Sequence, residues 1–282
     1  MTMFNKWLKL NKNKRRFLLI IIFGLALIGF YFCFADYPSP RLEVDFLDVG
    51  QGDATLIKIP AGPIILIDGG PDNKVLRRLG ENLPFYERQI DFIILSHYHD
   101  DHAAGLVEIL KRYKVRNLIY AAAIPSSSIL KEIGLAAQAQ KITPLALGNE
   151  ARISWGEDCF LDLLNPTSLG VKDDPNNSLV VKLDCRSQKF LFTGDDSATV
   201  EKALLSSGRD LRTDVFKAAH HGSNSANSEI FLNAVSPRLL VISVGADNRF
   251  GHPSPKILER AVSLGIKIKR TDHDGDIRVF SP

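Results

Sequence analysis

Apolar residues fall along this chain in short runs separated by glycine, proline and polar clusters. Runs with strand character cover Val44–Val49, Ala54–Ile59 and Ile64–Ile67, the last two joined by the tight turn Pro60-Ala61-Gly62-Pro63. Phe92–Leu95 is apolar throughout, as a strand covered on both faces should be. Helical spacing of apolar residues predicts helices over Asn73–Leu83, Ala103–Tyr113 and Pro125–Gln140, with a strand at Leu118–Ala121. Strands then dominate from about 142 to 193, at Ile142–Leu145, Ala151–Ser154, Phe160–Leu164, Ser178–Asp184 and Phe190–Phe192. Helices at Ala198–Ser206, Ser228–Val235 and Pro255–Leu264 alternate with strands at Val215–Ala218 and Leu239–Val244. Ile266–Lys269 and Ile277–Phe280 read as edge strands. Two strand-rich halves that each carry helices predict an α/β protein. Helices covering two packed sheets, a four-layer αββα sandwich, are its natural arrangement. No period suggests a solenoid or propeller.

The first 35 residues follow another pattern. Lys6, Lys9, Lys12, Lys14, Arg15 and Arg16 precede an uncharged run from Phe17 to Phe34. As a helix that run measures roughly 27 Å, close to the thickness of a bilayer core. It predicts a cytoplasmic basic tail over 1–16 and an N-terminal transmembrane helix over 17–35. A stiff linker over 36–41 and a domain over 42–282 on the extracytoplasmic side would follow. The competing reading is a signal peptide cleaved near Cys33-Phe34-Ala35.

Composition is ordinary, with 45% hydrophobic and 24% charged residues, so a sizeable core is available. The formal charge of +3 comes from the N-terminal segment: residues 36 onward hold 29 basic against 32 acidic side chains. That balance excludes the overall positive field of a protein that coats nucleic acid. Cys159 and Cys185 fall in neighbouring predicted strands, where a disulfide can form if the domain is exported. Neither has partners at metal-ligand spacing.

All seven histidines lie in four short segments rich in Asp, Gly, Asn or Ser. In His97-Tyr98-His99-Asp100-Asp101-His102, residues two apart face one way, so His97, His99 and Asp101 converge, and His102 opens the next helix. Imidazole with carboxylate suits zinc, manganese or iron. Asp195, in a Gly-Asp turn after Phe190–Phe192, is a candidate to bridge two metals, or simply a turn residue. Asp68, in Leu66-Ile67-Asp68-Gly69-Gly70, has the same form and is a candidate to orient a ligand. His220 and His221 are adjacent and point apart, so one of them is expected as a ligand. His252 stands in a loop.

Together these segments resemble the metallo-β-lactamase superfamily, and more closely the metallo-hydrolase domain of ComEC-type DNA-uptake competence proteins. The matching strings include Phe46-Leu-Asp48-Val-Gly-Gln51-Gly52-Asp53, Leu95-Ser-His-Tyr-His-Asp-Asp-His-Ala-Ala-Gly-Leu106, Phe192-Thr-Gly-Asp195, His220-His-Gly-Ser223 and Gly251-His-Pro-Ser254. The resemblance runs from about residue 42 to 282. It implies two divalent ions, Zn or Mn: His97 and His99 on one, Asp101 and His102 on the other, with Asp195 between them. His221, or else His220, would complete the second site. Asp68 would support the ligands, Asp48 and the Gln51-Gly52 turn would lie beneath them, and His252 would face substrate or leaving group. Asp101, His252 and Asp68 are thus the catalytic candidates. Asn176-Asn177 stands where the superfamily has a third histidine. Asn177, Ser223, Asn224 and His252 are the substrate-binding candidates, and Lys217 would add charge if it faces the site.

The expected function is membrane-anchored, metal-dependent hydrolysis of a phosphodiester, with single-stranded DNA as candidate substrate and competence DNA processing as the setting. The sequence shows one apolar segment, so no channel of its own is expected. An esterase acting on phosphorylcholine or another cell-surface phosphoester competes with this reading, as do hydrolysis of a lactam and a non-catalytic metal-binding module. Lys111–Arg116 and Lys267–Arg270 are the basic clusters, read as solvated ends of elements or as a guide for DNA.

Overall fold

A wholly apolar strand must bury both faces, because successive side chains point to opposite sides of the sheet. The chain meets this demand with two sheets facing each other and helices outside both. The computed structural model describes residues 11–35, 41–122, 127–171 and 177–281. Contacts divide it into Met1–Ser39 and Pro40–Pro282.

In the second unit, β1 (Glu43–Phe46), β2 (Thr55–Lys58) and β3 (Ile64–Ile67) form an antiparallel meander. Three parallel strands extend it: β4 (Gln89–Leu95), β5 (Lys114–Ala121) and β6 (Leu145–Leu147). The second sheet repeats this plan. Its meander is β7 (Glu150–Trp155), β8 (Cys159–Leu164), β9 (Val180–Cys185) and β10 (Gln188–Phe192). Its parallel strands are β11 (Val215–Lys217), β12 (Leu239–Ile242) and β13 (Lys267–Arg270). β14 (Ile277–Phe280) crosses back to pair with β1, so β13 and β14 are the edge strands that the sequence predicts.

The period of two sorts the apolar residues into three layers. Ile65, Ile67, Phe190, Phe192, Val215 and Val241 fill the space between the sheets. Leu66 and Ile93 face outward, under α2 (Lys74–Asn82), α3 (Asp100–Arg112) and α4 (Ser128–Ala139). Leu191, Phe216 and Leu240 face outward in the second sheet, under α5 (Ala198–Ser206), α6 (Glu229–Val235) and α7 (Pro255–Ser263). Each such side chain contributes about 1.5–3 kcal/mol through burial. The four-layer arrangement expected from the sequence is thus the one found, with two mixed sheets.

Three differences from the sequence reading have physical causes. On the outer face of the wing β7–β9, among the described residues, the cross-strand charge ladder Arg152–Asp162–Lys182 stands in place of an outer helix. The strand expected at 142–145 forms at Leu145–Leu147, beyond Pro144, which lacks the N–H a ladder needs. Helix α3 begins at Asp100, two residues before His102, because His99 keeps extended backbone and its carbonyl accepts the first helical bonds.

The N-terminal unit contains α1 (Lys12–Ala35), whose described large apolar side chains are exposed, Phe17 by 67% and Ile20 by 68%. Among the described residues, no helix is long and apolar enough to cross a membrane. The transmembrane helix expected over 17–35 is therefore corrected to an exposed apolar helix. Residues 1–10 of the expected basic tail, 36–40 of the linker, Pro125-Ser126 at the expected helix start and Asn176 lie outside the described residues.

Cys159 and Cys185 sit directly opposite each other on β8 and β9 and form a disulfide. The bond closes a loop of 26 residues, which contributes about 3 kcal/mol by restricting the unfolded chain. Replacing both cysteines with serine should lower the unfolding free energy by about that amount, read from the urea midpoint by circular dichroism.

Candidate metal centre

The histidine segment leaves β4 at Leu95 and enters α3 at Asp100, at the carboxyl end of a parallel strand. Asp68, at the end of β3, lies behind it with a left-handed backbone (φ 60°). Its carboxylate accepts from the Ser96 amide and hydroxyl, each at 2.7 Å, and from Nδ1 of His102 at 2.8 Å. Nδ1 of His97 lies 3.1 Å from the Ser96 hydroxyl. With Nδ1 of His97 and His102 engaged, their Nε2 atoms are the ones that can turn a lone pair to a cation. Asp68, named as a catalytic candidate, is buried behind His102 and positions it rather than facing substrate.

Asp195 arrives from β10 through a turn at Gly194, its amide donating to the Ser178 hydroxyl (3.0 Å). The two carboxylate oxygens face different neighbours. Oδ1 lies 3.2 Å from Nε2 of His102 and 3.7 Å from Nε2 of His221, which is itself 3.2 Å from Asp101. Oδ2 lies 3.8 Å from Nε2 of His97 and 3.7 Å from Nε2 of His220. Nε2 of His97 is 3.0 Å from Nδ1 of His99. Asp101, His102, Asp195 and His221 form one group whose atoms can reach a single ion, and His97, His99 and Asp195 form a second.

Nε2 of His102 and Oδ1 of Asp195 are buried and, apart from facing each other at 3.2 Å, lack hydrogen-bond partners. Such groups cost about 1–3 kcal/mol or more when left unsatisfied, and a divalent cation would satisfy both. The donor set, imidazole and carboxylate, fits zinc or manganese.

His220 and His221 follow β11 in a turn where both adopt left-handed backbone, φ 50° and 52°. Two such non-glycine residues in succession are strained and need support. Asn227 provides it, accepting from the Ala219 amide (2.9 Å) and donating to the Ala219 and Ser223 carbonyls. The turn lets both neighbours face Asp195, where a regular strand would send them apart. His221 joins the Asp101 group, and His220 approaches the opposite oxygen.

Below His221, Nδ1 donates to the Ser243 carbonyl (3.0 Å) and lies 3.3 Å from Asp53. Asp53 in turn pairs with Lys217, whose side chain is buried. Burial would raise the Asp53 carboxyl, but Lys217, His221 and His102 outweigh it and hold the group well below its usual range. Burial would lower His221, yet Asp195 and Asp53 raise it to about 9. Burial, reinforced by His102, pushes His97 down. Burial, then His220 and His221, lowers His252.

Several expected contacts fall elsewhere. Lys217 does not face substrate; it neutralises Asp53. Asp48 is drawn away from the site by Arg78 (2.6 Å), whereas Gln51 accepts from the Gly245 amide and Gly52 packs on Asp101. A Cβ at Gly52 would lie 2.2 Å from the Asp101 carbonyl, so that approach requires glycine. The Ser223 hydroxyl bonds Ser225 within its turn, Asn224 accepts from Arg260, and Asn177 donates to the Val171 carbonyl. These three substrate-binding candidates are thus engaged in holding loops. The His252 ring lies 5.7 Å from that of His220, at the rim. His273 stays apart, exposed beside Asp272. Asp53, Ser96, Ser178 and Asn227 had no assigned role in the sequence reading, because short polar residues in loops carry no spacing signal.

A sequence profile described as the metallo-beta-lactamase superfamily matches residues 47–246. The chain belongs to this superfamily. It is 32% identical to Recombination protein 2 of Haemophilus influenzae, over 95% of this chain and 32% of that protein. It is 30% identical to competence protein ComA of Neisseria gonorrhoeae, over 86% of this chain and 32% of that one. The chain spans about a third of the length of these curated relatives. Among solved structures it is similar to the metallo-β-lactamase fold protein YhfI of Bacillus subtilis. The TM-score is 0.60 at 12% identity, covering 85% of this chain and all of that one. The superfamily fold and the ligand groups support a metal-dependent hydrolase.

Removing one partner of the buried Lys217–Asp53 pair strands a charge. Asp53→Asn and Lys217→Met should each cost about 3–5 kcal/mol, and the double variant less than the two together. Urea unfolding of the four proteins in a double-mutant cycle measures this.

Proposed function

We propose that the domain is a two-metal phosphodiesterase that cuts single-stranded DNA, in the setting of competence DNA processing. The observation that carries this reading is Asp195, whose two oxygens serve two separate ligand groups. Two divalent ions held there would activate water and stabilise the attacking and leaving oxygens of an in-line displacement. The chain's own part is to fix the ligands. Asp68 and Ser96 orient His97 and His102, while Ser243 and Asp53 orient His221. His97, His102, Asp195 and His221 are buried, while His99, Asp101 and His220 are partly open, so substrate approaches from the latter side. His252 stands on that side, in reach of substrate or leaving group. The names of the relatives, attached to recombination and competence, support DNA as the substrate.

Ion pairs at four of the seven basic side chains in the two clusters support their reading as solvated ends of elements over a guide for DNA. Lys111 and Arg112 pair with Glu108, Arg116 pairs with Asp91, and Arg270 pairs with Asp272.

Metal-stripped full-length protein should take up two Mn or Zn ions, and His221→Ala should lose one of them, by elemental analysis. The loaded protein should cleave a single-stranded oligonucleotide and bis-p-nitrophenyl phosphate, and His99→Ala should lower kcat/KM by about 1,000-fold. Cleavage of p-nitrophenyl phosphorylcholine or nitrocefin with DNA untouched would overturn the nuclease reading. Activity undiminished in His99→Ala would overturn the metal mechanism.

A membrane location belongs to the same proposal. The exposed apolar side chains of α1 support it. The protein should sediment with membranes, and deletion of residues 1–35 should release it.

A further inference from the structure

The loop after β12 carries a large aromatic side chain in solvent at the edge of the metal centre. Phe250 is 55% exposed, and Arg249 beside it is exposed as well. Leaving a phenylalanine ring in water forgoes the stabilisation that burial gives other apolar residues.

The loop is built to hold that ring. The Asn248 amide group donates to the carbonyls of Gly245 (2.8 Å) and His252 (2.7 Å). Its oxygen accepts from the amides of Phe250 (3.2 Å) and His252 (2.9 Å). One side chain therefore fixes both ends of a five-residue turn. The Phe250 ring lies nearly parallel to that of His252, with an 18° interplanar angle and centroids 6.0 Å apart. The His252 ring is 5.7 Å from that of His220, whose Nε2 stands 3.7 Å from Asp195. Three rings thus lead from solvent to the metal ligands. The Arg249 guanidinium lies 5.3 Å from the Phe250 centroid.

An aromatic face with a cation beside it is the pairing that holds single-stranded nucleic acid, the ring stacking on a base and the cation meeting the backbone. We propose that Phe250, backed by His252 and flanked by Arg249, is the stacking platform for a nucleobase next to the phosphate held at the metal centre. This inference rests on the nuclease reading and narrows it: the substrate is single-stranded and carries bases.

The test compares a single-stranded oligonucleotide with an abasic one of the same length, using the metal-loaded full chain. The wild type should favour the base-bearing strand at least about ten-fold in kcat/KM, mainly through KM. Phe250→Ala should abolish that preference and Phe250→Trp should keep it. Arg249→Ala should weaken both substrates alike and flatten the salt dependence. Equal cleavage of the two strands by the wild type would overturn the platform and leave the nuclease reading standing. So would a preference that survives Phe250→Ala. Failure to cleave either strand, with p-nitrophenyl phosphorylcholine hydrolysed, would overturn both.

Discussion

A carboxylate held out of water between four imidazoles is the constraint on which this molecule turns. Asp195 reaches His102 and His221 with one oxygen and His97 and His220 with the other. Taking ionised groups from water costs several kcal/mol each unless they are paired and hydrogen-bonded. Much of the surrounding hydrogen bonding therefore answers to Asp195. Lys217 neutralises Asp53, Asp53 and Ser243 steady His221, Asp68 steadies His102, and Ser178 holds the turn that delivers Asp195 itself.

That arrangement needs both sheets. The His97–His102 segment follows β4 of the first, while Asp195 and the His220-His221 turn follow β10 and β11 of the second. The two halves share one plan, an antiparallel meander continued by parallel strands, although no repeat is visible in their residues. Each half delivers its chemistry just beyond the parallel strands, where side chains are no longer committed to the core.

The parts legible in the sequence were those governed by periodicity or by dense spacing. The apolar runs specified most strands, whereas the open wing, where burial alternates along Glu150–Trp155, was not read from the sequence. Two-residue spacing of His97 and His99 placed them together. The adjacent His220 and His221 misled that logic, because alternation assumes extended backbone and this turn is left-handed. Lys217 and Asp53 were opaque for a related reason: their pairing spans 164 positions, and nothing local in either segment announces it. Ser223, Asn224 and Asn177 looked available for substrate since polar loop residues do, yet each is bound within its own fold.

The return of β14 to β1 gives this topology a temporal meaning. The first strand, Glu43–Phe46, finds its outer partner in Ile277–Phe280, more than 200 residues downstream. Contacts so far apart form late, after the intervening chain has been ordered. The bridging carboxylate likewise meets the histidines of the first half only once the second has docked. A chain in which only one half has folded therefore holds only part of either ligand group, so the site is completed by the docking of the halves and not by either half alone.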